Sequence, residues 1–363
     1  MCGSGAAMAT GGFPKMTASL TEVTADGLAH RFRLASDTLV VVFSQVRVPA
    51  GKFGLERLFA GTTHSLLLVN EPVNGWYRGR EAAIDGLIGE AASAAGAARL
   101  VFYGSSMGAF AAAAAAARHP KAELYAFAPD FRIGEPGSQS AAAGLVAGPD
   151  EADLGRLFAA PRQGKARVIV PLYDPYDAGV GARLAARPLA EAVELVPLRS
   201  SHEVHDHLYS LNVIRKVVAT FRRDIAAEAA ARGLLVRPVD WPAHARLAAA
   251  RVAFDAGATI DPDALLGLLP EVNPGLTLLA AEAAERTGTI GRAAALLAGL
   301  DAAITADRVL SGLAKRYLKD VPRRRIRLLN DMGDVAEARR IAAEAAARFP
   351  TDEGFAALAK GSG

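Results

Sequence analysis

Cysteine is nearly missing from this chain: Cys2 is the single one in 363 residues. No internal disulfide can form, so stability must come from a packed core, and the usage fits a reducing compartment. Net charge is also small. Lysine and arginine total 41 against 38 aspartates and glutamates, leaving a formal +3, too little to argue for binding nucleic acid. Long apolar runs are absent: stretches such as Ala109 to Ala117 are too short and too alanine-rich for a bilayer span of about 20 residues. Residues 1–15 lack a basic start and an apolar segment of signal-peptide length, and Cys2 lacks the upstream apolar segment of a lipoprotein signal. The expectation is a disordered tail over residues 1–16, with Met16 an alternative start, and a cytoplasmic protein without a membrane span.

Apolar residues make up 51%, enough for a sizeable core, and the length suits two domains better than one. The chain is organised around Leu100-Val-Phe-Tyr-Gly-Ser-Ser-Met-Gly-Ala-Phe110 and the alanines that run to Arg118-His-Pro120. A β-rich run, a Gly-x-Ser-x-Gly pentapeptide and strong helix formers ending at a proline read as strand, sharp turn and helix. Ser106 sits at the apex. Glycine is needed at 104 and 108 because the turn presses strand against helix, and the Met107 N–H, at the helix start, faces whatever oxygen the target of the serine carries.

Around this elbow the pattern alternates strand and helix. Thr17 to Thr24 and Ala29 to Leu34 flank an Asp-Gly turn and read as a hairpin. Thr38 to Ser44, His64 to Asn70, Arg99 to Tyr103, Glu123 to Ala128, Ala166 to Tyr173 and Ala192 to Val196 read as buried strands, with a helix over Glu81 to Gly96. That rhythm predicts a mainly parallel α/β sheet covered by helices on both faces. Trp76 and Tyr77, on the loop leaving one strand, are expected either to line a pocket or to pack. A long amphipathic helix is expected over Leu208 to Arg232, closing the domain.

The elbow from Gly104-Ser-Ser-Met-Gly-Ala-Phe through Ala117-Arg-His-Pro resembles that of the α/β-hydrolase superfamily. The resemblance implies a serine nucleophile at Ser106, followed in chain order by an acid and a histidine. Asp174-Pro-Tyr-Asp177 resembles the superfamily's Gly-x-x-Asp turn, which makes Asp177 the acid, with Asp174 as alternative or as a cap of that turn. His202 follows a strand and a Ser-Ser pair at the superfamily's Gly-His position; His205 is the alternative base. The oxyanion donors implied are the N–H of Met107 and one near Gln45, where Ser44-Gln45 replaces the usual His-Gly pair. Pro129 to Gly164 falls where the superfamily places a lid, and there Phe131 and Arg132 are candidates to face a substrate. His202-x-x-His205-x-His207 has no second ligand cluster elsewhere, so neither a metal nor another cofactor is expected.

From Trp241 onward the strands stop. Turn glycines at Gly257, Gly288 and Gly333 each join helical stretches, 31 and 45 positions apart, and Gly333 to Pro350 resembles the second helix of a tetratricopeptide-type repeat. The expected layout is an α/β-hydrolase domain over 17–232 with a lid-like insertion at 129–164, a linker at 233–242 and an all-α helical-hairpin domain over 243–359. Lys315, Arg316, Lys319, Arg323, Arg324, Arg325 and Arg327 form a basic cluster, expected as a solvated face or a site for an acidic partner. The implied activity is a serine hydrolase acting on an ester or thioester. The elbow also resembles those of bacterial hydrolases of surface-glycan processing, which suggests a carbohydrate acyl ester. The alternative is a catalytically idle hydrolase fold whose helical half recruits a protein partner.

Overall fold

The structure, a computed structural model, describes residues 21–361, without the side chains of 315–317. The expected tail at 1–16 and the start of the first strand lie outside the described residues, as do the side chains of Lys315 and Arg316.

Eight strands form one sheet: β1 (Glu22–Val23), β2 (Ala29–Arg33), β3 (Thr38–Phe43), β4 (Ser65–Asn70), β5 (Arg99–Ser105), β6 (Glu123–Phe127), β7 (Ala166–Pro171) and β8 (Val193–Leu198). Their spatial order is β1-β2-β4-β3-β5-β6-β7-β8. From β4 to β8 all neighbours are parallel, and β2 runs antiparallel to both β1 and β4. β3 and β4 are buried along almost their whole length, as their unbroken apolar sequences require of strands covered on both faces. One face carries α2 (Glu81–Ala95), α3 (Met107–Arg118) and α6 (Pro175–Ala185). The other carries α1 (Glu56–Phe59), α7 (Val204–Ser210), α8 (Val213–Val218) and α9 (Ile225–Ala230).

The helix expected over Leu208 to Arg232 is three short ones. Backbone turns left-handed at Asn212 (φ 57°) and Phe221 (φ 52°) end α7 and α8. Tertiary packing overrides helical spacing here: Phe221 is buried against Phe59, Tyr103 and Tyr125, and Arg99 holds the Thr220 and Phe221 carbonyls. The insertion after β6 contains α4 (Gln139–Ala142) and α5 (Leu154–Ala159). Neither Phe131 nor Arg132 lines the cavity that contains Ser106. Phe131 is buried beneath the Arg183 and Arg187 guanidiniums, 3.9 and 5.1 Å from its ring, and Arg132 Nη2 donates to the Gly148 carbonyl at 2.6 Å.

Residues 233–240 lie along β8: Arg199 N–H donates to the Leu234 carbonyl at 2.8 Å and Val236 N–H to that of Pro197 at 3.0 Å. Then come α10 (Trp241–Asp255), α11 (Pro262–Leu266), α12 (Pro274–Arg286), α13 (Ile290–Ala306), α14 (Lys315–Asp331), α15 (Val335–Arg348) and α16 (Glu353–Lys360). Gly257, Gly288 and Gly333 all have positive φ and each turns one helix into the next. The basic residues of α14 whose side chains are described each pair with an acidic one. Lys319 and Arg323 reach Asp352 at 2.8 and 2.6 Å, Arg324 reaches Glu282 and Glu285 at 2.9 and 2.7 Å, Arg325 reaches Glu337 at 3.1 Å, and Arg327 pairs with Glu285.

Small residues let the helical half close on the sheet domain. Gly179 of α6 faces Ala248 of α10, Gly181 lies under Trp241, and Gly275 of α12 rests against the Tyr173 carbonyl oxygen, while Asn273 Nδ2 donates to the Leu172 carbonyl at 2.9 Å. A Cβ at Gly275 would overlap that oxygen, and backbone cannot yield as a side chain can. Gly275→Ala is therefore expected to lower stability by at least about 1–3 kcal/mol, measured by denaturant unfolding; an unchanged midpoint would refute the close approach.

Candidate active site

Ser106 has φ 52° and ψ −120°, a conformation that costs a non-glycine residue on the order of 1–3 kcal/mol. The surroundings hold it there. Ser106 N–H donates to the Phe127 carbonyl at 2.9 Å, and its own carbonyl accepts from Ala109 and Phe110. A Cβ on Gly104 would overlap the Gly108 carbonyl, and one on Gly108 the Phe43 carbonyl, so both glycines are sterically required. The second contact also presses the loop after β3 against the elbow, because Phe43 and Gly104 are register partners.

The remaining groups come from the same sheet edge. β7 and β8 pair through Pro171↔Leu198, and the loops beyond stay joined, with Tyr173 N–H donating to the Ser200 carbonyl at 2.9 Å. Asp174 caps α6, accepting from Asp177 N–H at 3.0 Å with Pro175 starting the helix. Its side chain is committed to that cap. Asp177, one turn on and 2% exposed, instead points inward and sets Oδ2 2.8 Å from His202 Nδ1. His202 Nε2 lies 3.1 Å from Ser106 Oγ. Carboxylate, imidazole and hydroxyl thus form one hydrogen-bonded chain, and an imidazole so held can take the hydroxyl proton. His205 is not part of it: its Nε2 sits 2.8 Å from Tyr103 Oη.

Burial works against a charged His202 ring, yet the adjacent Asp177 carboxylate, joined by the charges of Asp174 and Glu203, holds the imidazole pKa above its ordinary value. Burial pushes the Asp177 carboxyl up, opposed by that same ring. Removing the Asp174 cap is expected to cost about 1 kcal/mol, so Asp174→Ala should unfold at lower denaturant while keeping the His202–Asp177 pair intact. A larger loss of turnover for Asp174→Ala than for an Asp177 variant would reverse the two assignments.

A cavity of 220 Å³ opens over Ser106 and His202, walled by Gln45, Arg47, Gln139, His205 and Asp206 among others. Met107 N–H opens α3, where helix geometry supplies no partner; Gln45 and Val46 line the cavity over Ser106, and Met107 is not among the residues that line it. A larger cavity of 490 Å³ lies between α2, α3 and the insertion, and none of Ser106, Asp177 and His202 lines it. Trp76 and Tyr77 border that larger cavity and are themselves buried. Tyr77 Oη donates to the Ser44 and Val69 carbonyls at 3.0 and 3.1 Å, which braces the loop carrying Gln45.

Asp130, just past β6, has no motif to mark it in the sequence. It is 1% exposed, accepts from Ser140 and Gln139 N–H at 2.9 and 3.3 Å, and so fastens α4 over the cavity. Burial raises its pKa. Among the described residues no group of three or more metal-ligating side chains is assembled, and no helix is long and apolar enough to cross a membrane.

No protein-family model matches the chain, and no curated protein sequence does. Solved structures similar to it include a capsule O-acetyltransferase of Neisseria meningitidis serogroup A, at 12% identity over 53% of this chain and 92% of that one with a TM-score of 0.38. The Butyrivibrio proteoclasticus protein Est1E is 12% identical over 56% and 98%, with a TM-score of 0.39. A Pyrococcus furiosus esterase is 14% identical over 55% and 87%, with a TM-score of 0.42. The architecture rests on the chain's own topology: an eight-stranded sheet in this order, antiparallel at β2 and with a serine elbow after its fifth strand, gives this protein the α/β-hydrolase fold.

Proposed function

We propose that the protein is a serine hydrolase of carboxylic esters, with Ser106 as nucleophile, His202 as general base and acid, and Asp177 as the group that orients the ring. The observation that carries this reading is the hydrogen-bonded chain from Asp177 Oδ2 through His202 to Ser106 Oγ. His202 Nε2 takes the proton of Ser106 as Oγ attacks the ester carbonyl, and the carbonyl oxygen becomes an oxyanion facing the N–H of Met107 and that of the loop at Gln45. Collapse of this intermediate expels the alcohol, which receives the proton from His202. Water, deprotonated by the same imidazole, then attacks the acyl-enzyme and releases the acid, restoring the serine hydroxyl. A thioester follows the same steps with a thiol leaving.

The cavity supports a finer substrate class. At 220 Å³ it is smaller than the roughly 300 Å³ at which drug-sized ligands begin to fit, which favours a short acyl group. Gln45, Arg47, Gln139, Glu203 and Asp206 on its walls suit a hydroxyl-rich alcohol, such as a sugar. Nitrophenyl esters of rising acyl length test this: turnover should be greatest for acetyl and fall by roughly tenfold or more by octanoyl. Preference for the long chain would refute the short-acyl reading, and no turnover of any ester by folded protein would refute the hydrolase.

A further inference from the structure

Three histidines crowd the segment after β8, and the reaction proposed above uses only His202. The other two are buried, His205 at 4% and His207 at 0% exposure. His207 Nδ1 bonds Ser200 Oγ at 2.9 Å, stapling α7 to the loop just before His202. His205 reaches further, to Tyr103 Oη on β5 at 2.8 Å. Tyr103 stands three residues before Ser106, and His205 three residues after His202. The bond thus joins the strand that delivers the hydroxyl to the helix that follows the imidazole, at equal remove from both.

This link answers a mechanical need. β6 and β7 lie between β5 and β8, so three strand spacings, ~14 Å in all, separate the backbones that present Ser106 and His202. No backbone ladder connects them directly, and small displacements of the intervening strands add up. We propose that the Tyr103–His205 hydrogen bond is a positioning device that sets the distance between Ser106 Oγ and His202 Nε2. Its surroundings make it rigid. The Tyr103 ring is fully buried among Phe59, Tyr125, Phe127 and Phe221, and the His205 ring stands edge-on to Tyr103 and Phe127, at 85° and 86°. A hydroxyl in such a place must donate or remain unsatisfied. Among the described contacts the Tyr103 hydroxyl has no hydrogen-bond partner besides His205 Nε2, whichever of the two carries the bonding hydrogen.

The activity arm of the test rests on the hydrolase reading. Tyr103→Phe leaves His205 Nε2 unpaired beside an Nδ1 that already lacks a hydrogen bond, and His205→Phe leaves the Tyr103 hydroxyl unpaired, whereas the double variant removes all three atoms. Both single variants are expected to lose about 10- to 100-fold in kcat, as follows from a reacting pair displaced by a fraction of an ångström to an ångström, with KM for nitrophenyl acetate unchanged in Tyr103→Phe, since Tyr103, unlike His205, does not line the cavity. The double variant should recover thermal stability and keep the low kcat. If it recovers wild-type kcat along with stability, the bond is structural only and the proposal falls. An arm that needs no turnover is the low-field proton NMR signal of His202 Nδ1–H, assigned by its loss in Asp177→Asn. It should broaden or shift in both single variants and in the double; an unchanged signal overturns the proposal. Wild type that turns over no ester while the NMR signal responds as expected would refute the hydrolase and leave the positioning role standing.

Discussion

Ser106→Ala is expected to abolish both ester turnover and covalent capture by a fluorophosphonate, with kcat falling by roughly 10⁴- to 10⁶-fold. The size of the effect follows from the absence of a substitute: the only described hydroxyl bonded to His202 Nε2 is that of Ser106, and without it the imidazole has no nucleophile to activate. Stability supplies an internal control. The strain at φ 52° and ψ −120° belongs to the backbone of any residue with a Cβ, so alanine keeps it and glycine relieves it. Ser106→Gly should therefore unfold at higher denaturant than Ser106→Ala, by on the order of 1–3 kcal/mol, while both are inactive. Labelling that survives in Ser106→Ala would move the nucleophile elsewhere. Equal stabilities of the two variants would mean the elbow is not strained.

The elbow was legible because its constraints are local. Gly104 and Gly108 are close-approach positions within five residues of one another, and the strand and helix on either side are marked by unbroken composition. The parallel strands are legible for a similar reason, since burial on both faces makes their sequences mostly apolar. Asp177 and His202 were reachable through chain order and the ends of strands. What could not be read is what depends on distant packing. Phe221 ends a helix by entering an aromatic cluster assembled from β5, β6 and α1, and Arg99 captures the freed carbonyls from across the sheet; no periodicity within Leu208 to Arg232 announces that. The position of Phe131 in the chain leaves open whether it faces a substrate or lies in a surface loop, and the guanidiniums that cover it come from Arg183 and Arg187, more than fifty residues later. The basic residues from Lys319 to Arg327 read as an open patch because their acidic partners lie on α12, on α15 and at the cap of α16.

Asp177→Asn is expected to lower kcat by roughly 10⁴-fold and to move the pH dependence of what activity remains. In the native site the carboxylate accepts from His202 Nδ1 at 2.8 Å, which leaves the lone pair of Nε2 facing Ser106. An asparagine that turns its amide NH₂ toward the ring donates to Nδ1, so the ring proton shifts to Nε2 and the base presents a hydrogen where it should accept one. The pH argument has a definite sign. Only the neutral imidazole can act as base, and because Asp177 holds the His202 pKa above its ordinary value against the effect of burial, the rising limb of kcat/KM in the native enzyme should lie above about pH 6.5, where a free imidazole titrates. With the carboxylate gone burial remains, which disfavours the charged ring, so the limb in Asp177→Asn should shift to lower pH even as the plateau drops. A pH–rate profile for nitrophenyl acetate from both proteins decides it. A rising limb at the same pH in the two would mean that Asp177 does not bear on the ionisation of His202, and the orienting role assigned to it would have to go to another carboxylate, Asp174, whose charge also favours the protonated imidazole.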